Sequence, residues 1–493
     1  MPTNVKENGF ESSIVSWLVQ HNGYEQGSNA DYNKEIAMDE TRLFRFLNTT
    51  QADKMKQLRL ENDPLEKEKF LQRLDQSLHT NGVIDLLRKG FRYKHLVLDM
   101  FYVRPSPGNE TAAKLYAQNI FSVTRQLQYS RQNPLLALDV CLFLNGLPIA
   151  TMELKNQLTK QNAADAVKQY KDERTPDEVL FGFKRCIVHF AVDDNEVRMC
   201  TELKGQKSWF LPFNKGYNDG AGNPPNPDGI KTDYLWKEIL RKDDFSNIIE
   251  NYVQIICDED EETHKKSYKQ IFPRYHQLQL VTSLLADAKR DGVGKRYLIQ
   301  HSAGSGKSNS IAWLAHQLVT LKDATDHNIF DTVIVVTDRV NLDKQIRNTI
   351  RQFMQVSSTV GWAKDSSELG TLLEKGTKII ITIVHKFQFI LEDISKLHTN
   401  RSFAILIDEA HSSQNGDLST KMNIVLSGSE YDNDDLLEDK INTLIDGKKL
   451  AKNASYFAFT ATPKNKTLEV FGREEIQPDG SKRFFPHYVY TMK

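Results

Sequence analysis

The second half of the chain alternates short apolar runs with longer amphipathic segments. The apolar runs are rich in β-branched residues and lie at 297–300, 332–337, 379–384, 404–408 and 456–462. Continuous apolar strands separated by segments of helix length are typical of a parallel sheet covered by helices on both faces. The pattern therefore predicts a doubly wound, parallel-sheet α/β domain in this half.

The first half has a different pattern, centred on residues 138–156, which read LDVCLFLNGLPIATMELKN. Apolar residues surround Asn145-Gly146, a dipeptide typical of a two-residue β-hairpin turn. Three charged residues, Asp139, Glu153 and Lys155, lie in this hairpin or at its end. Because an isolated buried charge is costly, the pattern predicts that these charges have partners.

The three charges of the hairpin should converge. Glu153 and Lys155 are two residues apart and point to the same face of a strand, while the turn brings Asp139 beside them. Two converging carboxylates suit a hard divalent cation such as Mg²⁺, and Lys155 could position or deprotonate an attacking water and offset charge on a phosphate. A structural salt bridge of Lys155 with Asp139 or Glu153 is the alternative interpretation.

The segment HSAGSGKSNS follows the first apolar run of the second half and precedes a helical pattern. A Gly-rich turn at a helix N-terminus presents backbone N–H groups to phosphates, with Lys307 reaching the β- and γ-phosphates and the Ser308 hydroxyl contacting Mg²⁺. The residues that we expect to bind the nucleotide here are Gly304, Ser305, Gly306, Lys307 and Ser308. His301 stands where the usual pattern has Gly, and an ordinary loop is the alternative.

Two acidic residues end the apolar run at 404–408. Asp408 and Glu409 should lie at the carboxyl edge of the sheet, where open α/β proteins bind ligands. There Asp408 could hold Mg²⁺ while Glu409 orients the attacking water. Arg274 and Gln277 precede the phosphate loop and are further candidates for nucleotide binding, although Gln277 alone could be a surface helix residue.

The order Gln277, GSGKS, TDR, DEAH and FTATP resembles the first RecA-like domain of superfamily 2 helicases and DNA translocases. The resemblance implies a group of residues that face the nucleic-acid backbone: Asp338, Arg339, His385 and Lys386. It also implies that Thr460 and Thr462 couple ATP to that surface, with strand packing as their alternative role. For Arg339 a solvated surface charge is the alternative.

Asp139, Glu153 and Lys155, in this spacing, resemble the core of PD-(D/E)xK nucleases. That resemblance implies a mixed sheet flanked by helices. It also implies that Glu11 is an early acidic metal ligand and that Tyr170 contacts DNA.

One departure from the nuclease pattern lies on the helix AADAVKQYKDER. The nucleases it resembles usually carry Gln four residues before the Tyr, where this chain has Ala166, although Lys168 and Gln169 are near. A non-catalytic DNA-binding or assembly subunit therefore remains an alternative function.

Composition divides the chain and limits its class. A Gly/Pro/Asn-rich stretch and an acidic run predict a division of the chain into 1–213, a connecting segment at 214–263, and 264–493. The resemblances imply that the first part is a PD-(D/E)xK domain and the last a RecA-like domain. The net charge of −1 gives no global argument for nucleic acid, and the widely spaced cysteines argue against zinc or a disulfide framework. Without a signal peptide or a long apolar run, we expect a cytoplasmic protein.

One family joins these two halves in this order: the restriction (R) subunit of type I restriction-modification enzymes, an ATP-dependent DNA translocase with its own nuclease. The resemblance implies ATP and Mg²⁺ as cofactors, and double-stranded DNA and the modification and specificity subunits as partners, without a membrane. Since the sequence ends soon after FTATP, we expect an N-terminal fragment in which the second RecA-like domain is absent. A stand-alone nuclease-helicase of another defence or repair system is the alternative.

Overall fold

The computed structural model divides the chain into two compact units, Met1–Tyr275 and His276–Lys493. Each unit is described by itself. The residues that the structure describes are 7–105, 108–156, 160–218, 220–259, 263–302, 304–337, 350, 360–363, 366–383, 394, 399–408 and 451–490.

Helices occur in both units. They are α1 Glu7–Gln20, α2 Glu40–Thr50, α3 Ala52–Leu58, α4 Pro64–Asn81, α5 Val83–Lys89, α6 Glu110–Ala117, α7 Ala163–Glu173, α8 Lys242–Asn251, α9 Tyr275–Asp291, α10 Lys307–Thr320, α11 Ser366–Glu374 and α12 Asn465–Phe471. In the described part of the chain, no helix combines the length and the apolar character that crossing a membrane requires.

The strands form one large sheet in each unit and several small hairpins. They are β1 Glu25–Gln26, β2 Tyr32–Asn33, β3 Met38–Asp39, β4 Phe91–Tyr93, β5 Leu96–Leu98, β6 Phe121–Gln128, β7 Ala137–Leu144, β8 Leu147–Leu154, β9 Val188–Val192, β10 Val197–Cys200, β11 Leu211–Pro212, β12 Gln254–Glu259, β13 Lys266–Ile271, β14 Arg296–His301, β15 Thr332–Thr337, β16 Val360–Trp362, β17 Ile379–Ile383, β18 Phe403–Ile407, β19 Ala454–Thr460, β20 Arg473–Ile476, β21 Lys482–Phe485 and β22 Tyr488–Tyr490.

The large sheet of the first unit has seven strands in the order β1-β6-β7-β8-β9-β10-β11. Its β1–β6 and β8–β9 pairs are parallel and the other pairs are antiparallel, so the sheet is mixed. Every residue of β8 is buried, which is expected for a central strand covered on both faces. Helix α7 links β8 to β9 and packs against both.

The predicted Asn145-Gly146 turn joins β7 to β8. Both residues have positive φ angles, 51° and 83°, as a type I′ turn requires. A Cβ atom at Gly146 would lie 2.4 Å from the Asp39 carbonyl oxygen, so the turn needs glycine for space as well as for conformation.

Residues 214–263, which composition predicts as a connecting segment, are folded into the first unit. The Trp236 ring packs edge-on against Phe10 in α1, with ring centroids 5.9 Å apart. The Tyr24 hydroxyl donates to the Leu240 carbonyl oxygen at 2.9 Å, and α8 follows directly. The units divide after Tyr275 rather than at residue 263, because buried aromatic residues hold this Gly/Pro-rich stretch in place.

The large sheet of the second unit has seven strands in the order β16-β17-β15-β18-β19-β14-β22. Each of its strand pairs is parallel. The apolar runs identified from the sequence form its central strands, which are buried almost throughout. The prediction of a parallel-sheet α/β domain is confirmed.

All four cysteines of the chain lie in the first unit. Cys141, Cys186 and Cys200 are buried, whereas Cys257 is half-buried. Burial raises the pKa of the Cys186 thiol to about 12 and that of Cys200 to about 11. These buried thiols are therefore protonated and unreactive in the folded unit.

Candidate nuclease and nucleotide sites

The β7–β8 hairpin brings two of the predicted catalytic carboxylates together. Val140 pairs with Met152, which puts Asp139 and Glu153 side by side on adjacent strands. Asp139 Oδ2 accepts a hydrogen bond from the Leu154 backbone N–H at 2.7 Å, which fixes the carboxylate at the end of β8. The sequence prediction that Asp139 and Glu153 converge agrees with this register.

Glu153 is fully buried, and its two carboxylate oxygens have different surroundings. Arg174 Nε donates to Oε1 at 2.6 Å. Oε2 is also buried, and no hydrogen-bond partner for it occurs among the described residues. Burial and the nearby Asp139 charge raise the pKa of Glu153 to about 8, whereas Arg174 and Lys155 oppose that rise. A carboxylate oxygen that is open beside a second carboxylate fits a divalent cation such as Mg²⁺.

Lys155 follows β8 and is largely buried, with 8% of its surface exposed. Its backbone N–H donates to the Val192 carbonyl oxygen at 2.9 Å, so it extends the parallel pairing of β8 with β9. Its ammonium group lowers the pKa of Glu153, as expected for a cation near that carboxylate. The three predicted nuclease residues therefore share one neighbourhood.

Glu11 approaches this neighbourhood from α1 but is linked to it indirectly. Its Oε1 accepts from Arg125 Nε at 2.8 Å and its Oε2 accepts from Gln126 Nε2 at 2.9 Å. The same Gln126 nitrogen donates to Asp139 Oδ1 at 3.2 Å. Within the described ranges, no group of three or more His, Cys, Asp and Glu side chains is arranged to hold a metal ion. The geometry thus brings together two carboxylates, and Glu11 as a metal ligand stays a prediction.

Tyr170, which the resemblance predicts to contact DNA, lies in the interior of the first unit, and its contact with DNA stays a prediction. Its hydroxyl lies 2.8 Å from Thr151 Oγ1, which in turn lies 2.7 Å from His189 Nδ1, and all three side chains are buried. The reason is the position of Tyr170 on the face of α7 that packs on β8 and β9. Burial lowers the pKa of His189 to about 3, so the ring is neutral in this network.

The helix position that departs from the nuclease pattern is also turned inward. Ala166 is fully buried on α7, while Lys168 is exposed. Gln169 has a buried Oε1 for which the described residues offer no hydrogen-bond partner. A Gln side chain at position 166 would have to fit into the packed interior.

Sequence reasoning missed Arg174 and Gln126, which contact the predicted carboxylates directly. Arg174 lies four residues after Tyr170, a spacing that puts two residues of a helix on the same face. That spacing was the available signal for Arg174. For Gln126 the sequence offered no comparable signal.

The predicted phosphate loop connects β14 to α10. Gly304 and Gly306 have φ angles of 75° and 85°, and Gly306 is the N-cap of α10. His301, at the usual Gly position, is buried, and its Nδ1 and Nε2 lie 2.5 Å and 3.3 Å from Ser305 Oγ and Ser310 Oγ. His301 therefore ties the loop to α10 instead of disrupting it.

Gln277, in α9, contacts the backbone of the same loop. Its Nε2 donates to the Gly306 carbonyl oxygen at 2.9 Å, and a Cβ atom at Gly306 would lie 2.4 Å from that nitrogen. Gln277 therefore lies against the predicted phosphate loop, and its role in nucleotide binding stays a prediction. Arg274 groups with the first unit and is half-buried, and burial lowers its pKa. Its role in nucleotide binding stays a prediction.

Lys307 and Asp408 meet at the N-terminus of α10. Lys307 Nζ lies 3.2 Å from Asp408 Oδ1, and both side chains are more than nine-tenths buried. Asp408 directly follows β18, and β19 separates β18 from β14 in the sheet. At the carboxyl edge of the sheet, Lys307 can thus bind phosphate, and Asp408 beside it can bind Mg²⁺.

Three more predicted residues lie at this edge of the second unit. Thr460 ends β19, pairs with Gln300 and is buried, whereas Thr462 is exposed. Ser308, the second residue of α10, is half-buried. The predicted residues that lie outside the described part of the chain are Asp338, Arg339, His385, Lys386 and Glu409.

Two protein families match separate parts of the chain, and these parts correspond to the two groups of motifs. Residues 4–208 match the family described as Type I restriction enzyme R protein N terminus. Residues 276–477, which are most of the second unit, match the family described as SWI2/SNF2 ATPase. The predicted resemblance to the R subunit of type I restriction enzymes is confirmed.

Similar curated proteins are endonuclease subunits of type I restriction enzymes. The HindI endonuclease subunit of Haemophilus influenzae is 26% identical over 376 residues, which cover 73% of this chain and 33% of the relative. The SauMSSORF170P endonuclease subunit of Staphylococcus aureus strain MSSA476 is 25% identical over 516 residues, covering 99% of this chain and 48% of the relative. The chain thus spans less than half the length of these relatives.

Solved structures share only a coarse likeness. A fragment described as a type I restriction enzyme subunit from Vibrio vulnificus YJ016 has 15% identity and a TM-score of 0.27, covering 72% of this chain and 50% of that one. TM-scores this low do not support a comparison of site geometry.

Proposed function

We propose that this chain is the nuclease and motor portion of a type I restriction endonuclease subunit. It uses ATP to translocate double-stranded DNA and cleaves both strands away from the recognition site. The first unit is the PD-(D/E)xK nuclease, and the second is the RecA-like superfamily 2 motor. The observation that carries the proposal is the presence of two chemistries in one chain: the Asp139–Glu153 pair on its hairpin and Lys307 beside Asp408 at a phosphate loop.

In the nuclease, Asp139 and the open Oε2 of Glu153 would hold Mg²⁺, and Arg174 keeps Oε1 occupied. The cation supplies Lewis-acid catalysis and a water of lowered pKa. Lys155 orients the attacking water and offsets the negative charge that develops on the phosphate. The burial of Glu153 and Lys155 strengthens these charge interactions.

In the motor, the backbone of the loop at Gly304–Gly306 surrounds the triphosphate of ATP. Lys307 contacts the β- and γ-phosphates, and Ser308 and Asp408 would hold the accompanying Mg²⁺. Glu409, next in sequence, orients the attacking water. Thr460, at the end of the neighbouring strand β19, links this site to the DNA-facing surface.

The partners of this subunit are the modification and specificity subunits. They recognise and methylate the DNA target, while this chain supplies movement and cleavage. The support for these partners is the likeness to endonuclease subunits of type I enzymes, together with the motif order.

The decisive experiment separates cleavage from translocation in the assembled enzyme. Lys155→Ala should abolish cleavage of an unmethylated plasmid while ATP-driven displacement of a DNA triplex persists, because the nuclease and motor residues lie in different units. The control is Lys89→Ala, which changes an exposed lysine that pairs with Asp85 in α5. Cleavage by Lys155→Ala at the rate of Lys89→Ala would refute the nuclease assignment.

A second experiment distinguishes the type I enzyme from a stand-alone nuclease-helicase. The chain should co-purify with the modification subunit encoded beside it and require that subunit for site-dependent cleavage. Site-independent cleavage without the modification subunit would favour the stand-alone enzyme.

A further inference from the structure

Arg174, at the end of α7, holds three separate segments of the first unit. Its guanidinium donates from Nε to Glu153 Oε1 at 2.6 Å, from one terminal nitrogen to the Tyr129 hydroxyl at 2.9 Å, and from the other to the Ala137 carbonyl oxygen at 2.9 Å. Only 2% of Arg174 is exposed. A planar fork of donors with fixed directions can hold three acceptors in one arrangement.

Two of the three acceptors, Ala137 and Glu153, belong to the hairpin that carries the pair of carboxylates. Ala137 begins β7 two residues before Asp139, and Glu153 lies beside Asp139 on β8. The Arg174 contacts therefore fix the start of β7 relative to the end of β8. They also fix the rotation of the Glu153 carboxylate, because only Oε1 faces the guanidinium.

This arrangement differs from an ion pair whose only effect is on stability. A buried carboxylate without full hydrogen bonding costs free energy, yet Glu153 Oε2 has no hydrogen-bond partner in the part of the chain that the structure describes. A cation bound beside Asp139 would satisfy that oxygen.

We propose that Arg174 is a positioning residue of the nuclease, which directs Oε2 of Glu153 toward the divalent cation that Asp139 shares. Arg174 touches neither the cation nor the DNA and acts through Glu153. The inference rests on the proposed nuclease function and adds a residue to it.

The test measures binding of Mn²⁺ alone to the 493-residue chain, without nucleotide, by calorimetry. The original chain should have a Mn²⁺ site that Glu153→Gln removes. Arg174→Lys retains a positive charge but not the fork, and should weaken this site by about 10–100-fold, as is usual when a partner of a metal ligand is changed. Tyr129→Phe removes one acceptor of the fork and should weaken it less.

A matched control is Arg185→Lys. Arg185 is also buried, at 4% exposure, and pairs with a carboxylate, Asp75, at 2.6 Å outside the candidate site. This variant should lose thermal stability but leave the Mn²⁺ affinity unchanged. In the assembled enzyme, Arg174→Lys should also raise the Mg²⁺ concentration that gives half-maximal cleavage, whereas Arg185→Lys should not.

The outcomes separate the two proposals. Unchanged Mn²⁺ affinity in folded Arg174→Lys overturns the positioning role while the nuclease assignment stands. If Arg174→Lys does not fold, unchanged affinity in Tyr129→Phe has the same meaning. A chain that lacks a Glu153-dependent Mn²⁺ site overturns both the positioning role and the proposed nuclease.

Discussion

Gly146→Ala tests how strictly the hairpin turn controls the candidate nuclease site. The left-handed φ of 83° costs an alanine about 1–2 kcal/mol. The new Cβ would lie 2.4 Å from the Asp39 carbonyl oxygen and 2.7 Å from the Leu43 backbone nitrogen. These backbone atoms begin α2 and cannot rotate away, so overpacking adds about 1–3 kcal/mol.

The clash also threatens a hydrogen bond. The Asp39 backbone N–H donates to the Gly146 carbonyl oxygen at 2.9 Å, and loss of that bond costs about 0.5–1.5 kcal/mol. Together these effects should lower the stability of the first unit by about 2.5–6.5 kcal/mol. Cleavage should fall as well, because the turn sets the register of Asp139 and Glu153.

Hydrogen exchange measured by mass spectrometry on β7 and β8 peptides would report the loss in the first unit alone. Gly108→Ala is the control, since Gly108 has a φ of 85° but a Cβ there meets nothing within 4 Å. It should cost only the conformational part, about 1–2 kcal/mol. Equal losses in the two variants would refute the steric argument.

Three more changes have defined outcomes. Lys307→Ala should eliminate ATP-driven cleavage while the chain stays folded, and unchanged long-range cleavage would remove the motor from the mechanism. Gln277→Ala loses the hydrogen bond to the Gly306 carbonyl and should raise the Kd of a fluorescent ATP analogue by about two- to tenfold; an unchanged Kd would contradict its part in the loop. Burial lowers the pKa of His189 from 6.5 to about 3, so between these values the unfolded chain takes up a proton that the folded chain excludes. The stability of the first unit should therefore fall below pH 6.5 by up to about 1.4 kcal/mol per pH unit, and a His189→Gln variant with the same pH slope in urea denaturation would show that another group is responsible.

The features that the sequence predicted well are local in the chain. The Asn145-Gly146 turn and its flanking strands, and the strand, loop and helix around Lys307, are determined by neighbouring residues. The apolar runs of the second half lie in a sheet buried on both faces, where continuous hydrophobicity is required. These patterns were sufficient to identify the hairpin, the phosphate loop and the parallel sheet.

The features that the sequence did not predict depend on contacts between distant residues. Arg174 is an ordinary charged residue near a helix end until folding brings it to Glu153. Tyr170 turns inward because α7 lies on β8 and β9, which no short pattern reveals. Residues 214–263 have the composition of a linker, yet Trp236 packs against α1.

Because all four cysteines lie in the first unit, labelling of their thiols can report the local opening of that unit. The sequence has no cysteine after Cys257, so a thiol-reactive dye labels only the first unit. Modification of Cys141, in the middle of β7, requires the mixed sheet to open, whereas half-buried Cys257 provides a reference for reagent access. Pulses of dye with and without ATP and DNA would therefore show, without any mutation, whether these ligands loosen the first unit.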